Sequence, residues 1–213
     1  GGNNVPASIG GGIPCGPLDQ SPIDSRDDVL TFDLPVSTEE LVLTGSMKAT
    51  LYVSSDAIDT DFMVRISDVY NNDEGTVALI MDNAIRMRWR ETTLEPVYME
   101  KGTVYKITVD LWTTSYIVAP GHQLRVAISS SNYPRFSVNN NNGVVLDDST
   151  YPGEQITAIN TLYHSGEYPS SITLPVVSKK DLPEIHVLHA VQSEYPHITD
   201  QLISKFSKYL EQK

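Results

Sequence analysis

The chain has 213 residues, 40% of them hydrophobic, and a formal net charge of −12. That composition supports a real core in one large domain or two small ones. The negative charge argues against nucleic acid and anionic membrane surfaces as partners, and no apolar run approaches the roughly 18 residues of a membrane span.

The opening GGNNVPASIGGGIPCGP has no Met and lacks the charged-then-apolar order of a secretory leader. Residues 1–27, rich in Gly, Pro, Asn and Ser, read as an irregular arm or linker. A chain that opens inside a loop reads as a fragment or a processed product. Cys15 is the single cysteine, so there is no internal disulfide framework. It lies in a Gly/Pro-rich loop with no basic neighbour to activate it, and its solitude is compatible with the cytoplasm.

From Asp28 the texture changes to short strand-like runs. DVLTFDL alternates Val29, Thr31 and Asp33 with Leu30, Phe32 and Leu34. MKATLYVSS puts Ala49, Leu51 and Val53 on one face. FMVRISDV groups Phe62, Val64 and Ile66, with Arg65 and Ser67 opposite, the pattern of a half-buried strand. NNDEG, from Asn71 to Gly75, predicts a hairpin turn. Further on, Tyr105, Ile107, Val109 and Leu111 share a face, and Leu124, Val126 and Ile128 alternate with Gln123, Arg125 and Ala127. QITAINTLYH and SSITLPVV add later strands. Roughly eight or nine strands, with turns about every ten residues, predict an all-β antiparallel sandwich or jelly roll over residues 28–177. Residues 178–213 differ: Ile198, Leu202, Phe206 and Leu210 form one stripe, so this extension is expected to end in an amphipathic helix.

Four constellations could carry chemistry. In SSDAIDTDFMVRISDVY, Asp56, Asp59 and Asp61 crowd together, but without the central Gly and distal Glu of an EF-hand loop. They are expected to bond backbone N–H groups and fix a turn. Phe62 would then face inward or toward a partner's pocket. No G-x-S-x-G elbow is present, and His122, His164, His186, His189 and His197 form no recognisable Ser/His/Asp set. His122, in PGHQLR, reads as a turn residue. His186 and His189 are three apart, but no further zinc ligand is signalled. No catalytic residue, metal or cofactor is therefore assigned. IRMRWR sets Arg86, Arg88 and Arg90 on one face of a strand, either salt-bridged within the sheet or presented to an acidic surface of another domain. Finally, SSNYPRFSVNNNNG offers Tyr133, Arg135 and Phe136 beside four Asn. It could cap the core, wall a neighbour's pocket or bind sugar as part of a free-standing ligand-binding module.

Taken in order, GPLDQSPIDSRDDVLTF, LTGSMKATLYVSSDAIDTDFMVRISDVY, IRMRWRE, VYKITVDLW, APGHQLRVAISSSNYPRF and PSSITLPVV resemble the C-terminal domain of the X-Pro dipeptidyl-peptidase and cocaine-esterase (CocE/NonD) hydrolases. The related α-amino-acid ester hydrolases and glutaryl acylases share it. The resemblance covers about residues 1–177. It implies a galactose-binding-domain-like jelly roll that packs on an α/β-hydrolase domain and a helical cap, which would carry the Ser–Asp–His triad and the oxyanion donors. It also implies that Asp59 to Phe62 face the substrate pocket and that Ser129 to Phe136 form a docking loop. Self-association occurs in some of these enzymes. Gln123 departs from the pattern, which often has Arg there, and residues 178–213 have no counterpart.

Overall fold

The computed structural model describes residues 16–145 and 153–181. The chain divides into two compact units, Gly1–Val177 and Ser178–Lys213. In the first, two antiparallel sheets form a β-sandwich. Its strands are β1 (Leu30–Asp33), β2 (Leu41–Ser55), β3 (Asp61–Val69), β4 (Val77–Arg86), β5 (Tyr105–Val118), β6 (Gln123–Ser129), β7 (Asn160–Tyr163), β8 (Ser171–Thr173) and β9 (Val176–Val177). One sheet has the order β1-β6-β3-β4; the other has β2 at its centre, with β5 on one side and β7, β8 and β9 end to end on the other. In the second unit the described residues carry one 3₁₀ turn, Lys179–Asp181. The expected C-terminal helix lies outside the described residues, as do Cys15, His186, His189 and His197.

The period-2 patterns become the core. Ala49, Leu51 and Val53 of β2 meet Phe62, Val64 and Ile66 of β3, together with Ile107, Val109 and Leu111 of β5 and Leu124, Val126 and Ile128 of β6. Tight turns set the register. After β3 the chain reverses at Asn71–Gly75, where Tyr70 N–H donates to the Thr76 carbonyl at 2.9 Å and Gly75 takes φ +63°. This pairs Val69 with Val77 and, beyond one bulge, Asp61 with Arg86. On the β4/β5 side the Asn83 amide donates to the Asp110 carbonyl at 2.7 Å, tying the two sheets together.

Three expectations are corrected. β3 is not half-buried: Asp61 through Asp68 are all buried, because the second face is also covered. Over Arg65 the cover is the arm, which is ordered rather than irregular over its described part. Gln20 N–H donates to the Val77 carbonyl, Leu79 N–H donates to the Leu18 carbonyl, and a short helix α1 (Ser21–Asp24) follows. The side chain of its last residue, Asp24, is 6% exposed between two guanidinium groups, pairing with Arg65 and, at 3.0 Å, with Arg125. A charge can lie under that cover only because its partner arrives with the arm. The third correction concerns the arginines. β4 ends at Arg86, and Met87–Trp89 form a 3₁₀ turn, so the three side chains do not line one strand face.

Candidate functional site

Asp59, Asp61, Arg86 and Arg88 meet at one end of the sandwich. Asp59 and Asp61 flank the turn into β3. Because β3 and β4 are antiparallel, that turn lies beside the chain leaving β4. Arg86 makes a two-pronged contact with Asp61, Nε and Nη2 each donating at 2.8 Å, and Nη2 also donates to the Ser137 carbonyl at 2.8 Å. Arg88 is buried. Its Nε lies 2.9 Å from Asp59 Oδ2, its backbone N–H donates to Asp59 Oδ1 at 2.9 Å, and its Nη1 donates to the Gly143 and Val144 carbonyls. Asn139 bridges the two acids, donating to Asp59 at 2.8 Å and to Asp61 at 2.7 Å. Burial pushes the Asp59 carboxyl above its usual range, opposed by the Asn139 hydrogen bond and the Arg88 charge.

The carboxylates therefore do more than fix a local turn. They clamp a loop about 80 positions later onto the sheet, a span read from the Asn139–Asp59 separation. Asp56 extends the clamp, accepting from Ile159 N–H at 2.7 Å. The oxygens of Asp59 and Asp61 are spent on guanidinium, amide and backbone donors, and among the described residues no group of three or more His, Cys, Asp or Glu is placed to hold a metal.

Arg90 turns elsewhere. Its guanidinium stacks 4.5 Å over the Tyr105 ring, donates to the Met87 and Val97 carbonyls, and meets Glu91 at 2.9 Å. Of the two alternatives read for the arginines, pairing within the domain describes all three. Arg88 in particular has no surface to offer a partner, and neither do Asp59, Asp61 or Phe62, whose ring is 2% exposed in the core. Arg86 and Arg88 instead hold the loops at this end, through the Ser137, Gly143 and Val144 carbonyls.

Those loops carry the exposed groups. Tyr133 is 64% exposed, whereas Arg135 reaches back to the buried Asp82 at 3.2 Å and Phe136 is half-buried. Tyr98 donates its hydroxyl to the Gly143 carbonyl at 2.8 Å and, with Ile58, crowds Gly143 while staying partly exposed. The asparagine run is tied down within the domain: besides buried Asn139, Asn141 and Asn142 donate to the Ile156 and Glu154 carbonyls at 2.7 and 2.9 Å. Amides so committed leave the loop poorly equipped to bind sugar.

One polar group escaped sequence reasoning. Buried Asp68 accepts from the Tyr116 hydroxyl at 2.9 Å and contacts His122 Nδ1 at 3.1 Å, while the His122 ring stacks on Tyr70 with centroids 4.5 Å apart. Burial, and then the Asp68 carboxylate, push the Tyr116 hydroxyl far above its ordinary range. Asp68 lies 48 positions from Tyr116 and 54 from His122, so only pairing of the strands assembles them. This cluster braces the far end of β3.

The X-Pro dipeptidyl-peptidase C-terminal non-catalytic domain family matches residues 7–173. A cocaine esterase of Rhodococcus sp. (strain MB1 Bresler) is 40% identical over 164 residues, which cover 77% of this chain and 28% of the esterase. A putative serine esterase of Mycobacterium bovis is 28% identical over 184 residues, covering 78% of this chain and 26% of that protein. Among solved structures, an α-amino acid ester hydrolase superposes with a TM-score of 0.70 at 30% identity, over 76% of this chain and 27% of that one. An aminopeptidase from a marine-sediment Thaumarchaeota archaeon gives 0.71 at 26% identity, over 76% and 28%. The chain thus spans about a quarter of the length of the curated relatives it matches. It belongs to the family of X-Pro dipeptidyl-peptidase C-terminal non-catalytic domains, the C-terminal β-sandwich of CocE/NonD-type hydrolases.

Proposed function

We propose that this chain is the accessory domain of a serine hydrolase that cleaves small acyl esters, amides or X-Pro peptides, and that it packs on the α/β-hydrolase and cap domains of the same protein. The observation that carries this reading is the match of residues 7–173 to a non-catalytic C-terminal domain, joined to 40% identity with an esterase several times longer. In this reading the parent attacks its substrate carbonyl with Ser, uses His as general base and holds the oxyanion with N–H groups. The sandwich supplies docking surface and part of the pocket's edge. The proposed docking face is the end built around Asp59, Asp61, Arg86 and Arg88, where Ile58, Tyr98, Tyr133 and Ile159 leave apolar surface exposed.

The test is the coding sequence upstream of Gly1 and the activity of its product. An in-frame G-x-S-x-G is expected, with p-nitrophenyl ester hydrolysis by the full-length protein that a serine-directed inhibitor abolishes. The 213-residue chain should be inert. Inhibitor-sensitive hydrolysis by the chain itself, or no such motif upstream, overturns the reading.

A further inference from the structure

Away from the β4/β5 side, the sandwich gapes. Between β1 and β6 on one sheet and β7 and β8 on the other lies a pocket of about 330 Å³. Leu51 and Ile66, both fully buried, form its floor, and Leu34, Leu124, Leu162 and Ile172 are among its walls. Leu124, Val126 and Ile128 line it in sequence along β6, a run of about 13 Å at strand spacing. The slot is therefore elongated. Its polar lining groups are His164 and Ser170, from the β7–β8 connection, and Ser171, the first residue of β8; no Lys, Arg, Asp or Glu lines it. Ser170 is already committed, accepting from Tyr52 N–H at 2.9 Å and donating to the Tyr163 carbonyl. His164 and Ser171 are exposed at the rim, where the His164 ring meets Phe32 edge-on.

Close-packed interiors do not leave apolar volume of this size vacant without cost, and apolar walls hold water poorly. An apolar pocket of several hundred Å³ with a few polar groups converging at one side has the character of a small-molecule site. We propose that this pocket binds a neutral molecule with one linear aliphatic chain and one polar end, such as an alkanol or alkyl ester. The chain lies along β6 between the sheets, and the polar end sits at His164 and Ser171. A fatty-acid anion is disfavoured because no Lys or Arg lines the slot to meet its charge, and a sugar because its hydroxyls would face leucine and isoleucine. This site is independent of the docking role: it uses other residues and would survive the failure of that reading.

The full chain is titrated with 1-butanol, 1-hexanol, 1-octanol and 1-decanol by calorimetry and by methyl-resolved NMR. Each added methylene is expected to tighten binding about fourfold until the slot is full. Shifts should concentrate on Leu34, Leu124, Leu162 and Ile172. Octanoate should bind at least tenfold more weakly than 1-octanol. Ile172→Trp fills the slot and should abolish saturable binding without loss of the folded state; if that variant unfolds, the wild-type shift map and chain-length series decide. No saturable binding by any of the four alkanols, affinity indifferent to chain length, or shifts centred elsewhere overturns the proposal. Octanoate binding as tightly as 1-octanol overturns the neutral assignment.

Discussion

Removing the Asp59 carboxylate should strand the Arg88 guanidinium. Arg88 is 2% exposed, and after Asp59→Ala its remaining side-chain partners are the Gly143 and Val144 carbonyls, which carry no full charge. Breaking a buried pair from one side costs about 3–5 kcal/mol, a large share of the roughly 5–15 kcal/mol that holds a domain together. For a unit of this size, that lowers the melting temperature on the order of 10 °C. The reciprocal variant behaves differently. Arg88→Met leaves Asp59, which burial already biases toward its protonated form. A carboxyl whose folded pKa lies above its unfolded value binds more protons when folded, so stability falls as pH rises through that interval. Arg88→Met should therefore be less damaging near pH 5 than near pH 8, whereas Asp59→Ala, which removes the titrating carboxyl itself, should be no less damaging near pH 5 than near pH 8. The double variant, with both charges gone, should be more stable than the sum of the single losses implies, by about 1–3 kcal/mol. Urea denaturation of the four proteins at both pH values measures each quantity. An Asp59→Ala loss below 1 kcal/mol, or strict additivity, refutes the reasoning.

Asp24→Ala should leave Arg65 buried without its carboxylate, costing about 3–5 kcal/mol, and should open residues 16–28 to limited proteolysis read by mass spectrometry. Hydrogen bonds from Arg125, against a smaller effect of burial, hold the Asp33 carboxyl below its ordinary 3.8. Its contribution is present above that pH and is lost as pH falls through its folded value, so Asp33→Asn should flatten the acid limb of a melting-temperature profile between pH 6 and 2. Gly143 has φ +79°, and a Cβ there would lie 2.9 Å from Ile58 Cδ1 and 3.0 Å from Tyr98 Cε1. Gly143→Ala should cost more than the roughly 1–2 kcal/mol of a left-handed alanine, while Gly102→Ala, with φ +76° and open space around it, should cost no more than that in the same urea titration. Arg86→Lys should raise hydrogen exchange of the amides in residues 137–145 while changing global stability by no more than about 2 kcal/mol.

The alternation of Ala49, Leu51 and Val53, or of Leu124, Val126 and Ile128, was legible because strand periodicity is local and burial on one face leaves its mark every second residue. The second face of β3 was not. Arg65 reads as solvent-facing until Asp24, 41 positions earlier, is folded over it, and no window of sequence contains both. The arginine ladder failed for a different reason. Alternation continues through Met87 and Trp89 although the backbone leaves the strand at Arg86. Counting back from the Asn71–Gly75 turn brings the two segments within one position of each other, setting Asp61 opposite Ile85; the bulge between Ile66 and Ser67, which no window of sequence signals, then puts Asp61 opposite Arg86 and Asp59 level with Arg88. Opposite charges placed across a hairpin point to pairing within the domain before any partner is invoked.

Why a sandwich with an ample apolar core buries ions at one end follows from what they hold. Replacing such pairs with packed hydrocarbon often costs nothing or adds stability, so stability alone does not account for Asp59, Asp61, Arg86 and Arg88. Each guanidinium, however, spends further donors on loop carbonyls, Arg86 on Ser137 and Arg88 on Gly143 and Val144, while Asn139 ties the same loop to both acids. Lysine in place of Arg86 keeps the charge but cannot serve the carboxylate fork and the Ser137 carbonyl together. It should loosen the loop more than the fold, which is the asymmetry hydrogen exchange reads. A loop fixed in advance forfeits little entropy when a neighbouring domain closes on it. The buried charges at this end are therefore best understood as the frame of the proposed docking face, with Ile58, Tyr98 and Tyr133 as the surface that frame presents.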